Sequence, residues 1–172
     1  MTCGNLKKIR NRSAQKNMLN EYRKINEIYY PKTKKERDNF INLKSGKIIT
    51  KFQYKVYDLC SQIPEGYIST YKLLANALKS SPRAVGGSLR VNPFSPFIPC
   101  HRVIASNLFI GGFDGEWIVH QSRQSLSDNK KHEVFNSDKI SRKRELLEKE
   151  GIFFDNNGWL KNSKRLFTDF HL

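Results

Sequence analysis

The chain has 172 residues and is 38% hydrophobic, which is enough for one medium domain with a buried core. Its formal net charge is +15, from 31 Lys or Arg against 16 Asp or Glu, and this excess suggests a polyanionic partner. No stretch is apolar and long enough to span a membrane, no secretory signal pattern opens the chain, and three cysteines without paired spacing argue against a disulfide framework.

The first part of the chain carries most of the positive charge. Residues 1–51 hold 14 Lys or Arg and 4 Asp or Glu, with basic runs at Lys7–Arg12 and Pro31–Arg37. We interpret residues 1–47 as a partly ordered basic arm that holds DNA phosphates or acts as a nuclear address. A helix around Met18–Tyr30 that packs on the domain is an equally good interpretation of the same stretch.

A first helix is predicted from Thr50 onward. Thr50 and Gln53 form a capping box, and the apolar residues that follow are spaced four apart at Phe52, Val56 and Cys60. The helix should end before the turn at residues 64–66, and Cys60 should be a core residue.

Two helices joined by a tight turn are predicted next. Leu73, Leu74 and Ala77 have one-sided helical spacing, and Ser81-Pro82 is typical of the cap and first position of a new helix. Gly86 and Gly87 inside the second helix cost about 1 kcal/mol each relative to alanine. Small residues there let a helix approach something closely, and the nearby arginines favour a nucleic-acid backbone and groove.

The segment from residue 98 to residue 104, here called the cysteine loop, places Cys100 directly beside His101 and Arg102. A cysteine becomes a nucleophile as the thiolate, which neighbouring cations or a general base favour. Pro99 restrains the backbone before Cys100, so we expect the cysteine on a rigid loop or strand end.

The last third of the chain contains a polar stretch and a predicted hairpin. Residues 116–138 are rich in Ser, Gln, Asn and Lys, and we interpret them as a loop insertion. Gly151 has the position of a helix C-cap, and residues 153–160 predict a hairpin around Asn157-Gly158.

These motifs together resemble the O6-alkylguanine-DNA alkyltransferase family. The resemblance is carried by Arg83-Ala84-Val85-Gly86-Gly87, Arg90, Asn92-Pro93 and Ile98-Pro99-Cys100-His101-Arg102-Val103-Ile104, and continues with residues 111–115, Lys143, Leu146-Leu147 and Glu150-Gly151. It implies a DNA repair protein that transfers an alkyl group irreversibly from the O6 atom of guanine to its own cysteine.

The resemblance assigns the catalytic roles. Cys100 is the nucleophile, a water connects it to the general base His101, and Glu150 orients the other imidazole nitrogen. Tyr71 occupies the position that serves ring N3 of the leaving guanine.

The resemblance also assigns the DNA contacts. Arg83 replaces the flipped base in the stack, while its helix lies in the minor groove. The DNA-contacting set is Arg83, Ala84, Gly86, Gly87, Ser88, Arg90 and Asn92, of which Asn92 ties the recognition helix to the cysteine loop.

The guanine pocket is expected to use backbone as well as side chains. Backbone groups of Cys100, Val103 and Asp114 read the edge of the base, and Phe113 forms an aromatic wall. Asp114 departs from the hydroxyl residue common at its position, and Phe113 from the frequent tyrosine.

The expected fold is mainly α: a small helical, winged-helix-like DNA-binding domain with a helix-turn-helix, a short C-terminal hairpin and the basic N-terminal arm. The domains are 1–47 for the arm, 48–152 for the active-site domain and 153–172 for a C-terminal extension.

We expect double-stranded DNA containing O6-alkylguanine as partner, no membrane, a monomer and a nuclear location. We expect no cofactor and no metal, because His120, His132 and His171 lack metal-ligand spacing with cysteine. The alternatives are a non-catalytic sensor of alkylguanine and a cysteine hydrolase using Cys100 and His101.

Overall fold

The computed structural model describes residues 29–42, 45–113 and 138–171. The described part is mainly helical, as expected, with two sheets of two strands each. Its helices are α1 (Lys34–Arg37), α2 (Lys51–Ser61), α3 (Tyr71–Ala77), α4 (Pro82–Arg90) and α5 (Asp138–Lys149). Its strands are β1 (Ile41–Asn42), β2 (Lys47–Ile48), β3 (Ser69–Thr70) and β4 (Val103–Ile104), and single 3₁₀ turns form at Cys100–Arg102 and Ser163–Arg165.

The predicted helix starts are confirmed by their caps. Thr50 Oγ1 accepts a hydrogen bond from the Gln53 amide at 3.2 Å, and the Thr50 amide donates to Gln53 Oε1 at 2.8 Å. At the start of α4, Ser81 Oγ accepts from the Ala84 amide at 3.2 Å. These caps satisfy amides that a helix start leaves without a backbone partner.

The parallel sheet of β3 and β4 connects the start of α3 to the cysteine loop. Ser69 pairs with Val103 and Thr70 pairs with Ile104. Because α3 begins directly after β3, and the 3₁₀ turn that starts at Cys100 ends directly before β4, the sheet holds these two elements side by side.

The buried side chains form two clusters. The first is built from α2, α3, α4 and the chain leading to Cys100, and it includes the completely buried Cys60, as predicted. The second joins β4 to α5 and to the chain after it, through Ile68, Ile104, Phe109, Ile110, Ile140, Leu147, Ile152 and Phe154.

Packing begins upstream of the predicted domain start at residue 48. Phe40 is buried in the first cluster, and Tyr30 Oη donates to Asp58 on α2 at 2.7 Å. Arg37 binds both carboxylate oxygens of Asp58 at 2.7 Å. The aromatic side chains of residues 29–42 and the ion pair between Arg37 and Asp58 therefore hold this segment on α2, although the arm as a whole is basic.

The chain after α5 forms the predicted hairpin. Phe154 and Leu160 form an antiparallel bridge, and the turn ends at Gly158, whose φ of +81° lies in the left-handed region. The chain then returns beside β3, where the Ile68 amide donates to the Arg165 carbonyl at 2.9 Å.

Several predictions fall on residues outside the described ranges. They concern the basic run Lys7–Arg12, the helix interpretation of Met18–Tyr30 up to residue 28, Asp114, and the insertion from 116 to 137. In residues 29–42, 45–113 and 138–171, no helix is long and apolar enough to cross a membrane. The same ranges contain no group of three or more His, Cys, Asp or Glu side chains that could hold a metal ion.

Candidate active site

Cys100 opens the 3₁₀ turn directly before β4. Pro99 precedes the turn with a φ of −79°, and the Cys100 amide donates to the Ile98 carbonyl at 2.8 Å. The cysteine is half-buried at the edge of the first cluster. It therefore lies on a short, hydrogen-bonded turn outside any α-helix, as predicted from Pro99.

The half-buried carboxylate of Glu150 binds both residues that follow the cysteine. His101 Nε2 lies 2.8 Å from Glu150 Oε1, and Arg102 binds the same carboxylate through Nε at 2.8 Å and Nη2 at 2.9 Å. A further guanidinium nitrogen donates to the Ile63 carbonyl at 2.8 Å. The structure thus brings Glu150 to His101 across 49 residues of sequence.

These contacts determine the protonation of His101. Burial would raise the pKa of Glu150, but hydrogen bonds from Arg102 and His101 outweigh burial and hold that pKa below its usual value. Glu150 is therefore an anion that only accepts hydrogen bonds, and Nε2 of His101 carries the proton.

The second imidazole nitrogen is consequently the basic one. Burial lowers the pKa of His101, and the hydrogen bond to Glu150 only partly offsets this effect. The ring is neutral near pH 7, and its Nδ1 atom is buried and has no hydrogen-bond partner among the described residues. Nδ1 therefore presents a free lone pair, as a general base requires.

The end of α5 places Glu150 in this position. The Ile152 amide donates to the Leu147 carbonyl at 2.9 Å, and the Gly151 amide donates to the Glu148 carbonyl at 3.0 Å. With Gly151 at a φ of +76°, this is a Schellman C-cap, which confirms the predicted role of Gly151. Glu150 is therefore the C-cap residue of α5, at the point where the chain leaves the helix beside His101.

Tyr71 lies between α4 and the loop after β4. It is 8% exposed, and its hydroxyl donates to the Gly112 carbonyl at 3.4 Å. Burial, and next the negative charge that Cys100 can carry, raise the pKa of Tyr71, so the hydroxyl keeps its proton at neutral pH. A protonated hydroxyl that interacts electrostatically with Cys100 can serve as a hydrogen-bond donor to a leaving group.

Lys143 is a buried cation that the sequence reasoning did not include among the site residues. It is completely buried, and Nζ donates to the carbonyls of Val103 at 2.8 Å, Ile110 at 2.7 Å and Gly112 at 3.1 Å. Burial lowers the pKa of Lys143 to about 7. Besides the family resemblance, the sequence signal for its burial is helical spacing, which puts Lys143 on the same face of α5 as Ile140 and Leu147.

Replacing Lys143 by methionine is expected to destabilise the protein. Each carbonyl left without a donor costs about 1–3 kcal/mol. Between about pH 7 and about pH 10, the unfolded chain keeps a lysine proton that the folded chain has lost, so Lys143 favours folding more as the pH rises. Urea unfolding should therefore show a deficit that grows with pH through this window.

Lys149→Met is the matched control for that experiment, since Lys149 is exposed on the same helix. The control should unfold like the wild type at each pH. An equal loss in the two variants would contradict the role of the three carbonyl contacts.

The six predicted DNA-contacting residues of α4 do not share one surface. Arg83, Gly87 and Arg90 are exposed, whereas Ala84 and Gly86 are half-buried. A Cβ atom on Gly87 would meet nothing within 4 Å, but one on Gly86 would lie 3.8 Å from the Tyr71 ring. Gly86 therefore borders Tyr71, and the open face of the helix is at Gly87.

Ser88 is the most enclosed of the six predicted residues of α4. It is 5% exposed, and its hydroxyl donates to the Ala84 carbonyl at 3.0 Å. Its own carbonyl accepts from Tyr57 Oη at 3.0 Å. The hydroxyl and the carbonyl of Ser88 are thus both engaged inside the protein, and its contact with DNA stays a prediction.

Asn92 connects α4 to the cysteine loop. It is 1% exposed, its Nδ2 donates to the Ile98 carbonyl at 3.1 Å, and its Oδ1 accepts from the Phe94 amide at 2.9 Å. The amide thus spans the turn that leads from α4 to Cys100. This geometry fits the predicted connection between α4 and the cysteine loop, and it uses both polar atoms of the Asn92 side chain.

The predicted base-reading groups are partly described. The Val103 amide donates to the Cys100 carbonyl, and the Val103 carbonyl accepts from Lys143. That these groups read the edge of the guanine stays a prediction. Phe113 is half-buried against the second cluster, and Asp114 lies outside the described residues.

Curated relatives match parts of the chain at moderate identity. Methylated-DNA–protein-cysteine methyltransferase of Pyrococcus horikoshii is 32% identical over 102 residues, covering 58% of this chain and 59% of that protein. The proteins of the same name from Thermococcus kodakarensis and Thermococcus sibiricus are 45% identical over 73 residues and 51% identical over 59 residues. These two matches cover 41% and 34% of this chain, and 42% and 34% of the relatives' own length.

Solved structures give partial matches as well. The O6-methylguanine-DNA methyltransferase of Pyrococcus kodakaraensis is 28% identical, with a TM-score of 0.44, over 81% of this chain and 78% of that chain. Atl1 of S. pombe, solved with damaged DNA containing O6-carboxymethylguanine, is 25% identical with a TM-score of 0.47, over 70% and 98%.

The family model described as 6-O-methylguanine DNA methyltransferase, DNA binding domain, matches residues 51–152, which is more than half of the chain. The match includes Tyr71, Cys100, His101 and Glu150 within one continuous span. The chain therefore belongs to the 6-O-methylguanine DNA methyltransferase family.

Proposed function

We propose that this protein repairs DNA by moving the alkyl group of O6-alkylguanine onto Cys100. The observation that carries the proposal is a half-buried Cys100 directly before a neutral His101. The Nε2 atom of His101 is hydrogen-bonded to Glu150, and its Nδ1 atom has no partner among the described residues. The curated relatives bear the name of this activity, although the chain spans only 34% to 59% of the length of those described above.

The reaction is a displacement at the alkyl carbon. The thiol proton of Cys100 passes to His101 Nδ1 through a bridging water, as the family resemblance implies, and Glu150 stabilises the imidazolium that forms. A bond forms between Sγ and the alkyl carbon, and the bond from that carbon to O6 breaks. The electron pair stays on guanine, and the protonated Tyr71 hydroxyl stabilises the ring anion by donating a hydrogen bond to its N3 atom.

The reaction is single-use in this proposal. A thioether on Cys100 has no thiolate to regenerate. The other described cysteine, Cys60, is completely buried, and burial raises its pKa well above the usual value, so it remains an unreactive thiol.

Duplex DNA that contains O6-alkylguanine is the proposed partner. Helices α3 and α4 are joined by residues 78–81 and serve as a helix-turn-helix in a winged-helix-like domain, with the exposed face at Arg83 and Gly87 turned to the minor groove. The protein acts as a monomer, because one chain supplies Cys100, His101 and Glu150. The nuclear location stays a prediction, since Lys7–Arg12 lies outside the described residues.

Mass spectrometry after mixing the protein with an O6-methylguanine oligonucleotide tests the proposal. One methyl group on the Cys100 peptide, with no further turnover, is the expected result. Unmodified protein that binds the DNA would support a non-catalytic sensor instead. Turnover of an acyl substrate without methylation would support a cysteine hydrolase.

Replacing Arg83 by alanine should slow repair of duplex DNA much more than reaction with free O6-benzylguanine. Arg83 is exposed at the start of α4 and fills the stack when the base is flipped, whereas the free base needs no flipping. Single-turnover rates on both substrates measure the difference. Arg142→Ala, an exposed arginine on α5, is the charge-matched control, and equal losses on both substrates would assign Arg83 to the pocket or the fold.

Replacing Gly87 by alanine is expected to separate stability from DNA binding. Alanine fits the open space and favours a helix by about 1 kcal/mol, so the melting temperature should rise. The added methyl group lies on the face proposed to meet the minor groove, so affinity for duplex DNA should fall. Reaction with the free base should not change, and unchanged DNA affinity would place Gly87 outside the interface.

A further inference from the structure

The hairpin formed by β1 and β2 is an element that the family model does not cover, because that match begins at residue 51. We propose that this hairpin is a second DNA-contacting element, with Lys47 on a backbone phosphate beside the end of α4. The inference rests on the proposed function and adds to it a contact from the segment before the matched domain.

The base of the hairpin is anchored to the protein core. Phe40 before β1 is 6% exposed and Ile49 after β2 is 3% exposed, and the Ile49 amide donates to the Phe40 carbonyl at 3.3 Å. Within the hairpin, Ile41 pairs with Ile48 and Asn42 pairs with Lys47. Its direction relative to the helices is therefore determined by packing.

The side chain of Asn42 joins the hairpin to α4. Asn42 is 1% exposed, and its Nδ2 donates to the carbonyl of Val91 at 2.6 Å. Val91 is the C-cap of α4 and directly follows Arg90. The hairpin consequently lies against the C-terminal end of the helix whose exposed face we propose to meet DNA.

The pairing register selects the residue that faces α4. Side chains directly opposite each other in an antiparallel pair lie on the same face. Because Asn42 contacts Val91, its partner Lys47 lies on the face of the hairpin that contacts the end of α4, whereas Ile41 and Ile48 lie on the other face. Lys47 and Arg90 are both exposed.

Neither of these two cations pairs with an anion of the described residues. Among the described residues, neither the Lys47 nor the Arg90 side chain has a hydrogen-bond or ion-pair partner, and residues 41–51 contain no Asp or Glu. A backbone phosphate supplies the anionic partner that neither side chain has among the described residues. A helix in a groove also brings its flanking elements against the backbone, which carries one phosphate for each nucleotide.

Salt-dependent binding of the full chain to duplex DNA tests the inference with Lys47→Gln. The expected result is a log–log salt slope that is smaller by about 0.9, which corresponds to one lost phosphate contact. Lys164→Gln removes an exposed lysine of the C-terminal 3₁₀ turn and is the matched control, with no change expected. An unchanged slope for Lys47→Gln would overturn the inference.

Two further measurements separate this inference from the proposed function. The Lys47→Gln variant should react with free O6-benzylguanine at the wild-type rate and should keep the wild-type melting temperature. A lower melting temperature together with a slower free-base reaction would assign Lys47 to the fold and overturn the inference. Wild-type protein that binds DNA without any transfer to Cys100 would refute the proposed function, while the salt slopes would still decide the role of the hairpin.

Discussion

Replacing Cys100 by alanine is expected to abolish alkyl transfer completely and to leave binding to duplex DNA nearly intact. The substitution removes the sulfur that attacks the alkyl carbon, and an alanine side chain offers no nucleophile in its place. The proposed DNA contacts belong to Arg83, Gly87 and Arg90, which the substitution does not touch. Mass spectrometry and a DNA-binding titration on the same preparation measure both properties.

Cys60→Ala is the matched control for the loss of transfer. Cys60 is completely buried in the first cluster, so its replacement should lower stability by the effect of a small cavity but leave transfer to Cys100 in place. Methyl transfer retained in the Cys100→Ala variant would contradict the mechanism. Loss of DNA binding in that variant would mean that the cysteine loop also shapes the interface.

Replacing Glu150 by glutamine should have the second largest effect, a fall in the transfer rate by about 10²- to 10⁴-fold, the usual contribution of general acid–base catalysis. The neutral amide cannot stabilise the imidazolium that forms when His101 takes the proton. The contact with Glu150 also raises the pKa of His101 against the effect of burial, so its loss makes the imidazole a weaker base. Both substrates, duplex DNA and the free base, should react slowly.

The pH profile distinguishes this positioning role from a general loss of structure. His101 acts when it is neutral, so the rate rises with pH through its pKa, which lies below the usual value. In Glu150→Gln, that rise should move to still lower pH. Glu148→Gln is the matched control, because Glu148 forms an exposed ion pair with Arg144 on the same helix. A slow variant with an unshifted profile would assign Glu150 to the fold alone.

Local signals in the sequence predicted the elements that carry the site. The capping box at Thr50, the cap at Ser81 and the C-cap at Gly151 are all present, because each depends on hydrogen bonds between residues close in the chain. The hairpin after α5 was predicted for the same reason. Pro99 likewise placed Cys100 outside an α-helix through the restraint on its own backbone.

Long-range packing accounts for what the sequence left open. The arm was predicted from its charge, but Tyr30, Arg37 and Phe40 hold residues 29–42 on α2, and charge counts do not show which aromatic side chains find a core. Helical spacing placed Ser88 near the exposed arginines. In the structure Ser88 is buried, and its carbonyl accepts a hydrogen bond from Tyr57, 31 residues away in the sequence.

The sequence by itself determined the family, since the motif from Arg83 to Ile104 is continuous, and it placed the proposed nucleophile Cys100 directly beside the proposed base His101. The tertiary structure alone decided the distances at which the groups act. Glu150 lies 49 residues from His101, and Lys143 reaches three carbonyls 31 to 40 residues away. Such contacts depend on how α5 packs against the cysteine loop, because burial changes the pKa of a side chain only once the fold has removed it from water.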